Sequence, residues 1–186
     1  MSTMRDSRTA LLIALLTLSC GAADAASTTV AAPAAGQTVR RNVAENALFA
    51  SSIWVGDTLY VSGMLPSATV PADAPAGTRP TISGDTKTQT LSVLTAIQKT
   101  LREQGLDMGD VVQMRVYLAG DPALGGRMDF AGMNSVYVQF FGSKEQPNKP
   151  VRATVQVAAL AVPTALVEIE VVAVRSVPPV QSGTAR

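Results

Sequence analysis

Short runs of β-prone hydrophobic residues, separated by turn residues, open the part of the chain that follows residue 50. Residues 53–55 and 58–62 are two such runs on either side of Gly56 and Asp57. A two-residue turn with these side chains between two β-prone runs predicts a β-hairpin. Residues 40–47, which precede the hairpin, predict an edge strand.

Two later stretches place their hydrophobic residues three or four positions apart, which is the spacing of one face of an α-helix. Asp85 is suited to cap the N-terminus of the first helix, and Gly105 is suited to its C-terminus. The second helix is expected within residues 127–141 and stops at Gly142. The apolar face predicted for the first helix consists of Leu91, Leu94, Ile97 and Leu101, and that of the second consists of Phe130, Met133, Tyr137 and Phe140.

The remaining runs complete an alternation of strands and helices. Residues 111–118 are rich in β-branched side chains and predict a strand. Residues 152–160 and 166–174 are two β-prone runs joined around residues 162–164, and we interpret them as a second hairpin. Residues 66–84 carry several prolines and predict a long exposed loop. The order β-β-β-α-β-α-β-β predicts a two-layer α+β domain.

The N-terminus has the pattern of an export signal. Arg5 and Arg8 form a positive flank, and residues 10–18 form an apolar run far shorter than the ~20 residues of a membrane helix. A small-x-small cleavage pattern ends at Ala25. We therefore expect a periplasmic or secreted protein with no membrane attachment after cleavage. Lipidation at Cys20 is the less favoured alternative.

These features divide the chain into four expected segments. A low-complexity stretch rich in Ala, Thr, Ser and Pro follows the predicted cleavage point. The segments are a signal peptide over residues 1–25, a disordered linker over 26–38, a single domain over 39–175 and a flexible tail over 176–186.

Composition removes several classes of chemistry. Lys and Arg number 15 against 14 Asp and Glu, and no basic block is present, so we expect no nucleic-acid partner. The chain has no His and a single Cys. A Ser-His-Asp triad, a Cys-His pair, a zinc site and an intrachain disulfide therefore cannot be assembled. The same counts disfavour ribonuclease activity, and they leave carboxylates, hydroxyls, amides, Arg, Lys and backbone groups.

Polar side chains in the last two runs suggest a binding site. Strand alternation places Arg152 and Thr154 on one side of the first run, and Glu168 and Glu170 on one side of the second. An Arg and two carboxylates meeting on one hairpin face would suit an anionic ligand, because a guanidinium binds a carboxylate with two parallel hydrogen bonds. The simpler interpretation is a cross-strand Arg–Glu pair on a solvated face, and the pattern by itself favours that interpretation over a binding site.

From about residue 49 to residue 174, the chain resembles the RidA (YjgF-type) reactive-intermediate deaminase family. The matching segments are residues 55–63 (VGDTLYVSG), 89–105, 110–118 (DVVQMRVYL), 133–137 with Phe140 and Phe141, 152–157 (RATVQV) and 167–170 (VEIE). The last two resemble the family's C-terminal signature and are the specific part. The resemblance implies a chorismate-mutase-like subunit, in which a mixed sheet of about six strands packs against two α-helices. It also implies a homotrimer with sites between subunits.

The reaction that the resemblance implies is cofactor-free hydrolysis of 2-imino acids, and of their 2-enamine tautomers, to 2-keto acids and ammonia. By the resemblance, Arg152 holds the substrate carboxylate, and Glu168 orients the attacking water and relays its proton. The further substrate-binding positions that it implies are Ser62, Gly63, Asn134, Phe49 and Thr154. No metal is implied. An imine carbon is already electrophilic, so a positioned water and one proton-handling carboxylate are sufficient.

Three positions depart from the family pattern. Phe49 stands where the family commonly has Tyr, Met64 stands where Gln is frequent, and Thr154 replaces a common Cys. These differences support a second hypothesis, a non-catalytic trimeric small-carboxylate-binding or chaperone-like protein on the same scaffold. Imine turnover that depends on Arg152 and Glu168 distinguishes the first hypothesis from the second, which predicts keto-acid binding alone.

Overall fold

The computed structural model describes residues 38–70 and 72–176. The predicted signal peptide, and all but one residue each of the predicted linker and tail, lie outside these ranges. The elements in chain order are β1 Val39–Asn42, β2 Ser52–Val55, β3 Thr58–Met64, α1 Thr86–Glu103, β4 Val111–Ala119, α2 Phe130–Phe140, β5 Val151–Val157 and β6 Val167–Val174. Short 3₁₀ turns occupy Met108–Asp110 and Pro122–Leu124.

The six strands form one sheet with the order β1-β2-β3-β6-β4-β5. Strands β4 and β5 run parallel, and every other neighbouring pair is antiparallel. Both helices contribute to a single hydrophobic core together with one face of the sheet. The predicted fold class, a two-layer α+β domain with a six-stranded mixed sheet and two helices, is confirmed.

The two predicted hairpins have different outcomes. The β2–β3 hairpin is confirmed, with Val55 paired to Thr58 across a turn in which Gly56 has a φ of 57°. The β5–β6 hairpin is wrong, because β4 lies between these two strands. Strand β5 pairs parallel to β4, and parallel neighbours require a crossover connection, which α2 provides. The alternation of side chains along β5 and β6 is the same in either arrangement.

Helix α1 begins and ends close to the predicted residues. The Asp85 carboxylate accepts a hydrogen bond from the Thr88 N–H at 2.8 Å, and Gly105 has a φ of 74° just beyond the helix end. Leu91, however, is 46% exposed, and its prediction as a core residue is wrong. Leu91 lies to the side of the buried stripe of α1 that faces the sheet. Polar residues occupy part of that stripe, so the spacing of apolar residues alone does not identify it. The buried residues of α1 are Thr86, Gln89, Thr90, Val93, Leu94, Ile97 and Leu101.

The edge strand β1 is shorter than predicted and is fastened to the end of α1. It ends at Asn42, and Asn46 adopts a positive φ of 63° within the following turn. The Gln104 amide oxygen accepts hydrogen bonds from the Trp54 indole N–H at 2.9 Å and from the Asn42 amide at 3.2 Å. These contacts fasten β1 and β2, the strands on either side of the loop that carries Phe49, to the end of α1.

The predicted loop over residues 66–84 is confirmed as lacking helix or an extended strand in its described residues. Its ends are drawn together where Thr69 and Thr81 exchange two backbone hydrogen bonds. Within the part of the chain that the structure describes, no helix combines the length and hydropathy that crossing a membrane requires.

Candidate functional site

Arg152 and Glu168, the two predicted catalytic residues, lie on opposite faces of the sheet. Arg152 is level with Met114 of β4, which is buried under the helices. Glu168 is level with Tyr117 of the same strand. Because side chains alternate between faces and Met114 and Tyr117 are three positions apart, the two predicted residues point in opposite directions. The prediction that Arg152 and two carboxylates share one face is therefore wrong within a single chain.

The Arg152 side chain is half-buried and is positioned by helix α2. Its Nη1 donates a hydrogen bond to the Asn134 Oδ1 at 3.1 Å. Its Cζ lies 4.2 Å from the ring centroid of Tyr137 and 5.8 Å from that of Phe130. These three residues follow one another at helical spacing, so they share one face of α2. Burial raises the pKa of the Tyr137 hydroxyl, and the neighbouring Arg152 charge opposes that rise.

No carboxylate among the described residues pairs with Arg152. The three ion pairs in that part of the chain use other cations, Lys99, Arg102 and Arg115. A half-buried guanidinium held by an amide oxygen and two aromatic rings is ready to bind an anion, because its remaining N–H donors are already oriented.

Thr154 lies beside Arg152 on the helix-facing side of β5. Its hydroxyl oxygen is buried and makes no hydrogen bond with the residues that the structure describes. Gln156, the next side chain on that face, is fully engaged. Its amide donates to the Gly126 carbonyl and accepts from the Met128 N–H, both at 2.9 Å. The structure therefore brings together three predicted site residues here: Arg152, Asn134 and Thr154.

A second group of predicted residues surrounds a cavity of about 240 Å³ at the end of β3. The cavity lining includes the predicted residues Phe49, Ser62 and Gly63, together with Met64, Leu65 and Thr100. The Glu168 carboxylate lies against the Cα of Gly63, where a Cβ would overlap it. The structure thus places the Glu168 carboxylate next to the cavity. The space for the carboxylate exists because residue 63 has no side chain.

The Ser62 hydroxyl has a positioning role in this group. It donates a hydrogen bond of 2.7 Å to the Ala50 carbonyl, which fastens the Phe49 loop to the end of β3. The pairing of β3 with β6 shifts register between Val61 and Met64. This irregularity is a β-bulge of the kind that redirects side chains at the ends of strands.

A polar cluster on the helix-free face was missed by the sequence analysis. The Arg115 Nη1 lies 2.6 Å from the Glu170 Oε1, and the Tyr117 hydroxyl lies 3.4 Å from the same oxygen. Burial raises the pKa of the Tyr117 hydroxyl, and the negative charge of Glu170 raises it further. Alternation along residues 111–118 places Arg115 and Tyr117 on one side of the strand, and this signal was available in the sequence.

This cluster separates the roles of the two carboxylates on β6. Glu170 is engaged by Arg115, whereas Glu168 makes no ion pair or hydrogen bond with any residue that the structure describes. Glu168 is therefore the carboxylate left available to a ligand or a water molecule. Across residues 38–70 and 72–176, no group of three or more His, Cys, Asp or Glu side chains is arranged to hold a metal ion.

Comparisons with known proteins extend over most of the described chain. The family model described as Endoribonuclease L-PSP matches residues 40–175. A RutC family protein from Pyrococcus abyssi is 34% identical over 125 residues, which are 67% of this chain and 84% of that protein. A solved YjgF family member from Neisseria meningitidis is 26% identical with a TM-score of 0.57, covering 77% of this chain and 100% of that one. The structure of E. coli TdcF with bound serine is 28% identical with a TM-score of 0.55, covering 76% and 99%.

Proposed function

Because this chain belongs to the endoribonuclease L-PSP family, with the RutC and YjgF (RidA-type) proteins, we propose that it is an imine hydrolase. The expected family membership is confirmed by these matches. The proposed reaction is the cofactor-free hydrolysis of 2-imino acids, and of their 2-enamine tautomers, to 2-keto acids and ammonia. The proposed ligands are these small carboxylic acids.

The observation that carries the proposal is the state of Arg152. Its guanidinium is oriented by Asn134 and stacked on Tyr137, yet it has no acidic partner among the described residues. Burying a charge without a counterion is unfavourable, and a ligand carboxylate removes that penalty. Binding the carboxylate with two parallel hydrogen bonds also fixes the orientation of the C=N bond.

Glu168 supplies the proton chemistry in this proposal. Water adds through its oxygen to the C=N carbon while its proton passes to Glu168 and then to the nitrogen. The carbinol O–H proton of the resulting adduct then passes through Glu168 to the NH2 group. The C–N bond breaks, ammonia leaves, and the carbinol oxygen becomes the keto oxygen. General acid–base assistance of this kind contributes a rate factor of typically ~10²–10⁴.

The opposite orientations of Arg152 and Glu168 require two copies of the chain for one site. We propose that the protein forms a homotrimer in which Arg152 of one copy faces the Glu168 cavity of the next. The helix-free face of the sheet supports association, since Tyr60, Val151 and Val155 are exposed there. Apolar side chains exposed on one face of a sheet favour association, because a second protein that covers them removes apolar surface from water.

The location that we propose is the periplasm or the extracellular medium. Its support is the N-terminal pattern of Arg5, Arg8, the apolar run over residues 10–18 and the small-x-small sequence ending at Ala25. In that location the substrates are imines released outside the cytoplasm, for example by oxidation of amino acids.

The test is an imine-consumption assay. An L-amino-acid oxidase generates 2-imino acids from several amino acids, and the rate of imine loss is measured with and without the purified protein. We expect acceleration that disappears in Arg152→Ala and falls by about 100-fold or more in Glu168→Gln. Arg79→Ala and Glu145→Gln are the matched controls. They change exposed residues that belong neither to the residues around Arg152 nor to the cavity beside Glu168. A rate equal to buffer for every amino acid tested contradicts the proposal.

The second candidate function is non-catalytic binding of small carboxylates. Phe49 and Met64 favour it, because they line the cavity with apolar surface where the family commonly carries Tyr and Gln. This function predicts keto-acid binding that depends on Arg152, measured by titration calorimetry, with no imine turnover. Turnover in the same sample excludes it.

A further inference from the structure

Resting on the proposed function, we infer that the site selects 2-imino and 2-keto acids whose side chain is apolar and has three or more carbons. This selection acts on the part of the ligand that contacts neither Arg152 nor Glu168. Phe49, Met64 and Phe130 are the specificity-determining residues.

The first observation is the composition of the cavity beside Glu168. Phe49 is 68% exposed at the cavity mouth, and Met64 and Leu65 contribute aliphatic surface next to it. A phenylalanine ring that is mostly exposed within one chain gains when an apolar group covers it, because apolar surface is removed from water. The cavity volume of about 240 Å³ also leaves room for a branched side chain.

The second observation is that two of the three hydroxyl groups lining the cavity, those of Ser62 and Ser51, already donate to backbone carbonyls, which leaves Thr100 as the third. Ser62 donates to the Ala50 carbonyl at 2.7 Å, and Ser51 donates to the Asn42 carbonyl at 3.1 Å. A hydroxyl or amide on the ligand side chain would lose its hydrogen bonds to water, and these two serines offer it no donor. Burying a polar group without replacing its hydrogen bonds is unfavourable, so the cavity discriminates against polar side chains.

The third observation comes from the Arg152 group. Phe130 is 44% exposed and its ring centroid lies 5.8 Å from the guanidinium carbon. A carboxylate bound at Arg152 therefore has an exposed aromatic surface beside it. In the proposed trimer, the Arg152 side chain of one copy faces the cavity beside Glu168 of the next copy. Apolar surface then flanks the ligand on both sides, with Phe130 from the first copy and Phe49 from the second.

The experiment compares three keto acids by titration calorimetry, because these products bind without being consumed. Pyruvate has a one-carbon side chain, 4-methyl-2-oxopentanoate has a branched apolar one, and 2-oxoglutarate has a charged one. We expect 4-methyl-2-oxopentanoate to bind about tenfold or more tightly than pyruvate, since each added methylene group in an apolar pocket strengthens binding. We expect 2-oxoglutarate to bind more weakly than either.

Three variants assign the preference to residues. Met64→Gln and Phe130→Ala should each reduce the ratio of 4-methyl-2-oxopentanoate affinity to pyruvate affinity by about threefold or more. Val138→Ala removes apolar surface from a position of α2 that is 54% exposed and lies outside both groups, and it should leave the preference unchanged.

The possible results separate this inference from the proposed function. Equal affinities for pyruvate and 4-methyl-2-oxopentanoate, both lost in Arg152→Ala, overturn the inference and leave the proposed function standing. Tighter binding of 2-oxoglutarate has the same consequence. Absence of binding for all three acids contradicts the carboxylate-anchoring step itself, and both proposals then fail.

Discussion

The Cα of Gly63 lies against the carboxylate of Glu168, so that a Cβ on residue 63 would overlap the carboxylate oxygen and lie 3.1 Å from Cδ. Glycine is therefore needed here for space and not for an unusual backbone conformation, since the φ of Gly63 is not positive. Because residue 63 has no side chain, Glu168 can occupy the edge of the cavity at the end of β3.

This contact predicts that Gly63→Ala displaces the Glu168 carboxylate. We expect imine turnover to fall by about 100-fold, as on removal of a general acid–base residue, with a much smaller change in pyruvate affinity. Gly109→Ala is the matched control, because its Cβ would make only ordinary contacts of 3.6 Å or more. Parallel losses of pyruvate binding and turnover would show that the methyl group blocks the cavity instead.

The stacking of Arg152 on Tyr137 leads to a second prediction. Tyr137→Leu removes the ring and the cation–π contact, whereas Tyr137→Phe retains both. We expect the Leu variant to bind keto acids about fivefold more weakly, corresponding to ~1 kcal/mol, and the Phe variant to bind like the wild type. Titration calorimetry gives the affinities, and urea denaturation of both variants separates a loss of binding from a loss of stability. Equal affinities in the two variants would contradict an orienting role for the ring.

The opposite orientations of Arg152 and Glu168 make a prediction about mixed oligomers. Arg152→Ala alone is expected to be inactive, and Glu168→Gln alone is expected to retain about 1% of wild-type turnover or less. Co-expressed and randomly mixed, they regain sites in which an intact Arg152 of one copy meets an intact Glu168 of the next. In a ring with head-to-tail interfaces such sites make up about a quarter of the total, so about a quarter of wild-type turnover should return. A site contained in one chain would show no recovery.

Local interactions explain which parts of this fold could be predicted. The hairpin around Gly56 is specified by its turn residues, and α1 by its periodicity and by Asp85 at its start. The pairing of β5 with β4 was missed because alternation assigns side chains to faces within a strand and carries no information on neighbouring strands. Leu91 was misplaced because polar residues occupy part of the buried stripe of α1.

The candidate site likewise combines features that the local sequence indicates with features that depend on long-range strand pairing. The resemblance singled out Arg152 and Glu168 as residues, and each occupies a position where its charge has no partner among the described residues. Their separation across the sheet depends on strand order, which is a long-range property. The Arg115–Glu170 pair, likewise, joins two residues that are 55 positions apart in sequence.

Gln89 leads to a prediction about stability. Although it is only 2% exposed, its amide satisfies three backbone groups: the Gly84 and Thr164 carbonyls, each at 3.0 Å, and the Leu166 N–H at 2.7 Å. It thus fastens the segment that leads into β6 and Glu168. Gln89→Ala leaves these groups unsatisfied, and we expect the free energy of unfolding to fall by about 3 kcal/mol.

Urea denaturation measures this change, with Gln139→Ala as the control. Gln139 also donates to a backbone carbonyl, but on the exposed surface of α2. Its loss should lower the free energy of unfolding by less than about 0.5 kcal/mol. Equal effects of the two substitutions would show that water replaces the Gln89 contacts.

Asp107 predicts how stability responds to acid. Partial burial acts to raise its pKa, but hydrogen bonds from the Met108 N–H, Gln98 and Arg102 outweigh burial and hold the pKa below the usual 3.8. A carboxyl with a lowered pKa in the folded state stabilises the protein above its unfolded pKa, and this contribution is lost as pH falls through the folded value. Asp107→Asn should therefore reduce the free energy of unfolding at pH 7 by about 0.5 kcal/mol, since the ion pair is half exposed. The difference from wild type should shrink as pH falls below about 4, and parallel curves from pH 7 to pH 3 would contradict the assignment.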